Sequence, residues 1–134
     1  MVFSGWGRYP TLESRLIEPV SASEIEASLG SSELWGTPVI ARGAGRSYGD
    51  SALSETLIST RYLDNFSSLT TLAPGHTALR CASGISLEKV LETIIPKSLF
   101  LPVLPGNKGV TIGGAIAADV HGKNHHIDGS FCDH

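Results

Sequence analysis

The pattern of apolar and polar positions divides the chain into short, differing elements. Leu87, Val90, Leu91, Ile94 and Ile95 recur at i, i+3, i+4, i+7 and i+8, one apolar stripe on a helix over 86–95. Ser86 supplies its N-cap and Pro96 its stop. A shorter helix is expected over 21–30. Ser21 followed three residues on by Glu24 has capping-box spacing, and Gly30 stands at the C′ position. The apolar run Pro38–Ala41 reads as a buried strand. Thr56–Thr60 and Leu69–Ala73 are rich in β-branched residues and read as strands. Pro74-Gly75 marks a turn, and Thr77–Ala82 completes a hairpin. Residues 1–19 and Phe100–Pro105 read as extended, and Thr111–Ala118 as a small, tightly packed helix. Strands and helices alternate irregularly, so the expected class is α+β or mixed α/β.

Composition narrows the function. The chain has 134 residues, 41% hydrophobic and 17% charged, which suits one modest globular domain. Its net charge is −3 and no basic run occurs, which argues against a nucleic-acid partner. No apolar stretch reaches the roughly 18 residues of a membrane span. The start, Met-Val-Phe-Ser-Gly-Trp-Gly-Arg, lacks the basic and apolar regions of a signal peptide. Cys81 and Cys132 form no Cys-x-x-Cys pair and fit a reducing, cytoplasmic setting, with a single disulfide left open. Nothing here fixes an oligomeric state. The chain stops soon after its most distinctive segment, so we expect it to be part of a longer protein.

Nine of the 15 glycines lie in two windows: Gly43, Gly45 and Gly49, then Gly106, Gly109, Gly113, Gly114, Gly122 and Gly129. The first window, Ala41–Ser51, follows an expected strand. Such a turn presents successive backbone N–H groups to an anion, and Ser47, Arg42 or Arg46 add donors or charge. It is not a P-loop, since no Gly-Lys-Ser/Thr follows. It is not Gly-x-Gly-x-x-Gly either, since Gly49 falls one place late. The ordinary alternative is a glycine-rich turn between strands.

In the second window, Gly113-Gly114 before Ala115–Ala118 reads as a helix opening whose N-terminus faces an anionic ligand. The ordinary alternative is a small-residue helix packed on a sheet. His121, His125 and His126 raise a metal reading. His121 and His125 stand at i, i+4, with Asp119 or Asp128 as a third ligand. Gly122 and Asn124 oppose a helix there, so His125 and His126 are expected in a polar, solvated loop, and no metal site is expected. His121 follows the apolar run directly and is the one expected to face a ligand.

Together, Gly5-Trp-Gly-Arg8, Arg42-Gly-Ala-Gly-Arg-Ser-Tyr-Gly-Asp50, Leu104-Pro-Gly106, Val110–His126 and Gly129-Ser-Phe131 resemble the FAD-linked oxidases of the vanillyl-alcohol-oxidase or PCMH class. The resemblance runs from about residue 5 to the end. It implies the first α+β subdomain and the start of the second of a PCMH-type FAD domain. The rest of that domain and a substrate domain would lie outside residues 1–134. It implies that Ala41, Arg42, Gly43, Ala44, Gly45, Arg46, Ser47, Tyr48, Gly49, Asp50 and Ser51 wrap the FAD pyrophosphate. Gly106, Thr111, Ile112, Gly113 and Gly114 would then reach the pyrophosphate and ribityl chain. Ala118, Asp119, Val120 and His121 would lie along the isoalloxazine, with His121 beside the reacting ring. Many relatives attach flavin to a histidine in the first loop; Arg46 stands there, which implies non-covalent FAD. The parent would oxidise a hydroxyl of a small sugar or polyol-like molecule. A histidine metal module and an empty, non-catalytic fragment are the alternatives.

Overall fold

The computed structural model describes residues 1–134, apart from the side chain of Ser32. The chain divides into two compact units, Met1–Leu63 and Asp64–His134.

In the first unit, β1 (Val2–Ser4) pairs antiparallel with β2 (Thr11–Glu13). A three-stranded parallel sheet has the order β3 (Arg15–Ile17), β5 (Thr56–Ser59), β4 (Val39–Arg42). The central strand β5 is buried at every position, as expected of a parallel strand covered on both faces. Helix α1 (Ala22–Gly30) runs between β3 and β4. Ser21 caps it by accepting the Glu24 N–H at 3.2 Å. The return contact differs from a capping box, because Glu24 Oε2 accepts from Val20 N rather than from Ser21. Gly30 is the last helical residue and not a left-handed cap. Ser31 closes the helix in extended backbone, donating its N–H to Ser28 O.

In the second unit, β6 (Phe66–Ala73) and β7 (His76–Cys81) form the hairpin, with Gly75 in the turn at φ +79°. β6 starts earlier than its β-branched stretch because Phe66 pairs with Cys81 and anchors the far end. Helix α2 (Leu87–Ile94) buries Leu87, Val90 and Ile94, three positions of the expected stripe. Ile85, Val90 and Ile94 form a core against Phe66, Leu79, Cys81, Leu99, Leu101 and Ile112. Pro96 ends the α-helix, but a 3-10 turn over Ile95–Lys97 continues it, since proline suits a first-turn position. Helices α3 (Ile112–Ala117) and α4 (His125–Asp128) complete the unit, with a 3-10 turn over Phe131–Asp133. The stretch expected as a polar loop at His125 and His126 is therefore a helical turn that begins just after Asn124.

Candidate cofactor-binding site

Strand β4 delivers the chain into the first glycine loop. Gly45 (φ +66°) and Gly49 (φ +58°) both adopt left-handed backbone, which side chains with a Cβ resist. Among the described residues, no N–H from Gly43 through Ser51 donates to a protein acceptor. The loop's internal bonds use other donors: Ser51 Oγ donates to Tyr48 O at 2.8 Å, and Leu53 N donates to Asp50 O at 2.9 Å. Gly43, Ala44, Arg46, Tyr48, Gly49, Asp50 and Ser51 are exposed, while Gly45 and Ser47 are half-buried. A run of consecutive unpaired amides in a tightly turned, accessible loop is what an anion nest requires.

The two arginines of this loop take different parts. Arg42 donates from Nη2 to Ser4 O at 2.7 Å and from Nη1 to Ala52 O at 3.0 Å. Its guanidinium stands 5.4 Å from the Phe3 ring centroid, and burial lowers its pKa from the usual value. Arg42 is thus committed to backbone carbonyls. Arg46 is exposed and lies over the Trp6 ring at 4.4 Å, a cation–π contact that leaves its N–H edge available.

The second segment behaves differently. The first three N–H groups of α3 are already used: Ile112 N donates to Ile85 O at 2.8 Å, Gly113 N to Ser83 O at 2.8 Å, and Gly114 N to Thr111 Oγ1 at 3.2 Å. The helix opening expected to offer free donors offers none of these three. A Cβ on Gly113 would stand 3.0 Å from Ser83 Cβ, so close packing alone accounts for glycine there. Gly106 is exposed, with open space where a Cβ would be. Ala117 and Ala118 are exposed, which leaves a small-residue surface at the end of α3.

Beyond α3 the backbone turns at Asp119 (φ +40°). The Asp119 carboxylate accepts from Cys132 N at 3.0 Å and from Ser130 Oγ at 2.9 Å. The Cys132 N–H above all, then the Ser130 hydroxyl, hold its pKa below the usual carboxylate value, and the Cys132 thiol's own side-chain contact with the Asp119 carboxylate, then burial, pushes that thiol up. Val120 N donates to Ala115 O, and Val120 O accepts from Phe131 N. His121 is exposed, bridges to Ser130 through the backbone, and has its ring centroid 4.8 Å from that of His125. The rings of His125 and His126 lie 3.8 Å apart. Asp119 faces Ser130 and Cys132, and Asp128 accepts from Asn124 Nδ2, so neither carboxylate completes a metal set with the imidazoles. Among the described residues, no group of three His, Cys, Asp or Glu is placed to hold a metal ion.

Residues 14–134 match the family described as FAD binding domain. The chain belongs to this family. The chain is 41% identical over 133 residues to the decaprenylphosphoryl-beta-D-ribose oxidase of Mycolicibacterium smegmatis. That match covers 97% of this chain but 28% of the relative, so the chain spans little more than a quarter of that protein's length. Among solved structures, cholesterol oxidase from B. sterolicum superposes with a TM-score of 0.77 at 19% identity, covering 90% of this chain and 24% of that one. An alkyldihydroxyacetonephosphate synthase superposes at 0.65 and 18% identity, covering 88% and 23%. These likenesses assign the fold, a PCMH-type FAD-binding domain of mixed helix and sheet. Among the described residues, no helix is long and apolar enough to cross a membrane.

Proposed function

We propose that the chain is the opening part of the FAD-binding region of a flavin-dependent oxidoreductase, and that Gly43–Ser51 hold the FAD pyrophosphate through their backbone amides. One observation carries this reading: a run of N–H groups without protein acceptors, in the accessible loop of a chain that belongs to an FAD-binding family. Arg46 adds charge from its place over Trp6. Gly106 and Thr111–Gly114 line the pyrophosphate and ribityl chain by close approach, since the N–H groups opening α3 are taken. Ala118–His121 flank the flavin ring, where exposed small residues admit a flat group, with His121 beside the reacting edge. FAD, when bound, supplies the redox chemistry by accepting hydride at N5 from a hydroxyl-bearing carbon. The substrate class, a hydroxyl on a small sugar or polyol-like molecule, rests on the relative named as a ribose oxidase. Attachment is non-covalent, because Arg46 holds the place at which related loops carry a flavin-linked histidine. The free Cys81 and Cys132 suit a reducing compartment, which supports a cytoplasmic location.

The absorbance spectrum of the purified full-length protein that carries this chain tests the reading. Flavin bands at one equivalent, released to the supernatant by acid, are expected. A protein with no flavin that takes up none from added FAD would overturn it.

A further inference from the structure

The first glycine loop has little to hold it in shape. Among the described residues no N–H of Gly43–Ser51 donates to a protein acceptor, so beyond the Ser51 hydroxyl and Leu53 N–H bonds its shape depends on neighbouring segments. The contacts that set it come from Phe3–Trp6, which lie before the stretch 14–134 that matches the family. Arg42 Nη2 donates to Ser4 O at 2.7 Å, while Nη1 donates to Ala52 O at 3.0 Å, beyond the loop's far end. One guanidinium at the loop's entrance therefore ties its exit to β1. Trp6 N donates to Ser47 O at 2.8 Å, and the Trp6 ring carries the Arg46 guanidinium. Gly5 is buried, and a Cβ there would stand 2.6 Å from Ser47 O and 2.7 Å from Gly49 O. Those are main-chain oxygens of the loop, so they move only if the loop moves.

We propose that Ser4–Trp6 is a built-in scaffold for the glycine loop, with Arg42 as the positioning residue that joins the two and shapes the nest before any cofactor arrives. Arg42 directs one N–H of each terminal nitrogen to a carbonyl, which holds its guanidinium between Ser4 and Ala52, and serves the phosphate site by fixing amides rather than by meeting the anion. Preorganisation of this kind removes an ordering cost that binding would otherwise meet. The proposal rests on the loop being the FAD phosphate loop.

The experiment compares the full-length wild type with Gly5→Ala, Gly7→Ala and Arg42→Lys. Gly7 has open space where a Cβ would go, so its variant makes the same chemical change without touching the loop. Backbone {1H}–15N NOEs over Gly43–Gly49 are read without flavin. Amide exchange at the buried Leu57 and Ile58 reports whether the unit remains folded. FAD affinity is read by flavin fluorescence. Gly5→Ala and Arg42→Lys are expected to lower the loop NOEs, keep β5 protected and weaken FAD by about tenfold or more, while Gly7→Ala matches wild type. Unchanged loop NOEs in Gly5→Ala and Arg42→Lys, or a Gly7→Ala as disturbed as Gly5→Ala, would overturn the proposal. If Gly5→Ala loses β5 protection, Arg42→Lys, which keeps the charge, decides alone. If the loop responds as expected but wild type takes up no FAD, the scaffold stands and the cofactor reading fails.

Discussion

Arg42 Nη2 donates to the carbonyl of Ser4 at 2.7 Å, across 38 positions of sequence. The bond joins the last residue of β4 to the last residue of β1. It gives the Arg42 charge a task at the backbone, and it explains how a loop with unpaired amides keeps one shape. The same contact sets what the loop tolerates nearby.

Gly45 and Gly49 both sit at positive φ, so alanine costs about 1 kcal/mol at either on backbone grounds. At Gly45 the added Cβ also meets Arg42 Nη2 at 2.5 Å, whereas at Gly49 it meets nothing within 4 Å. Gly45→Ala is expected to lower stability by about 2 kcal/mol and Gly49→Ala by about 1 kcal/mol, read by urea unfolding. Equal losses would remove Arg42 from the account.

Ser86→Ala removes the oxygen that accepts the Lys89 N–H at the start of α2, and is expected to cost about 1 kcal/mol. Leu87→Ala, at a fully buried position, is expected to cost about 2–5 kcal/mol. Denaturant unfolding followed by far-UV circular dichroism ranks the two. A cap variant costlier than the core variant would contradict the packing described for the second unit.

Gly113→Ala drives a methyl to 3.0 Å from Ser83 Cβ and 3.2 Å from Ser83 O, where Gly113 N donates. A loss of about 1–3 kcal/mol is expected, and Ser83→Gly in the same chain restores part of it. A double-mutant cycle reads the coupling directly. Purely additive losses would mean that glycine is needed there for some reason other than this contact.

Asp119 has its pKa held down, so folding gains from its charged form. The gain is present above the ordinary carboxylate range and is lost as pH falls through the lowered folded value. Acidification is therefore expected to free Ser130–Cys132 from Asp119, read by amide exchange at Cys132. Asp119→Ala, which removes both acceptor oxygens, should leave the Cys132 amide unprotected already at neutral pH and remove the acid-dependent loss of protection. An acid-dependent loss that survives in Asp119→Ala would assign it to another group.

The elements with long or well-punctuated patterns were legible in the sequence. The stripe from Leu87 to Ile94 and the Pro74-Gly75 turn between β-branched runs specify α2 and the hairpin from local spacing. The strands before Ile17 were not, since three residues give too little alternation to state a partner. The glycines of both loops were visible, but the state of their amides was not. Gly113 and Ile112 donate to the carbonyls of Ser83 and Ile85, far back in sequence, and no local pattern announces those acceptors. Arg42 was legible as a charge near an anion loop, but only the fold reveals that Ser4 and Ala52 use its donors. The helical turn at His125–Asp128 was masked by Gly122 and Asn124, which stand just before it rather than within it.

We propose that the amides of Gly43–Ser51 meet the phosphates of FAD. Amide chemical-shift mapping of the 15N-labelled full-length protein, cleared of flavin and titrated with FAD, ADP and riboflavin in turn, tests it most directly. FAD and ADP are expected to shift the Gly43–Ser51 amides together, while riboflavin, which has no phosphate, leaves them in place. FAD binding that leaves those amides unmoved would contradict the claim.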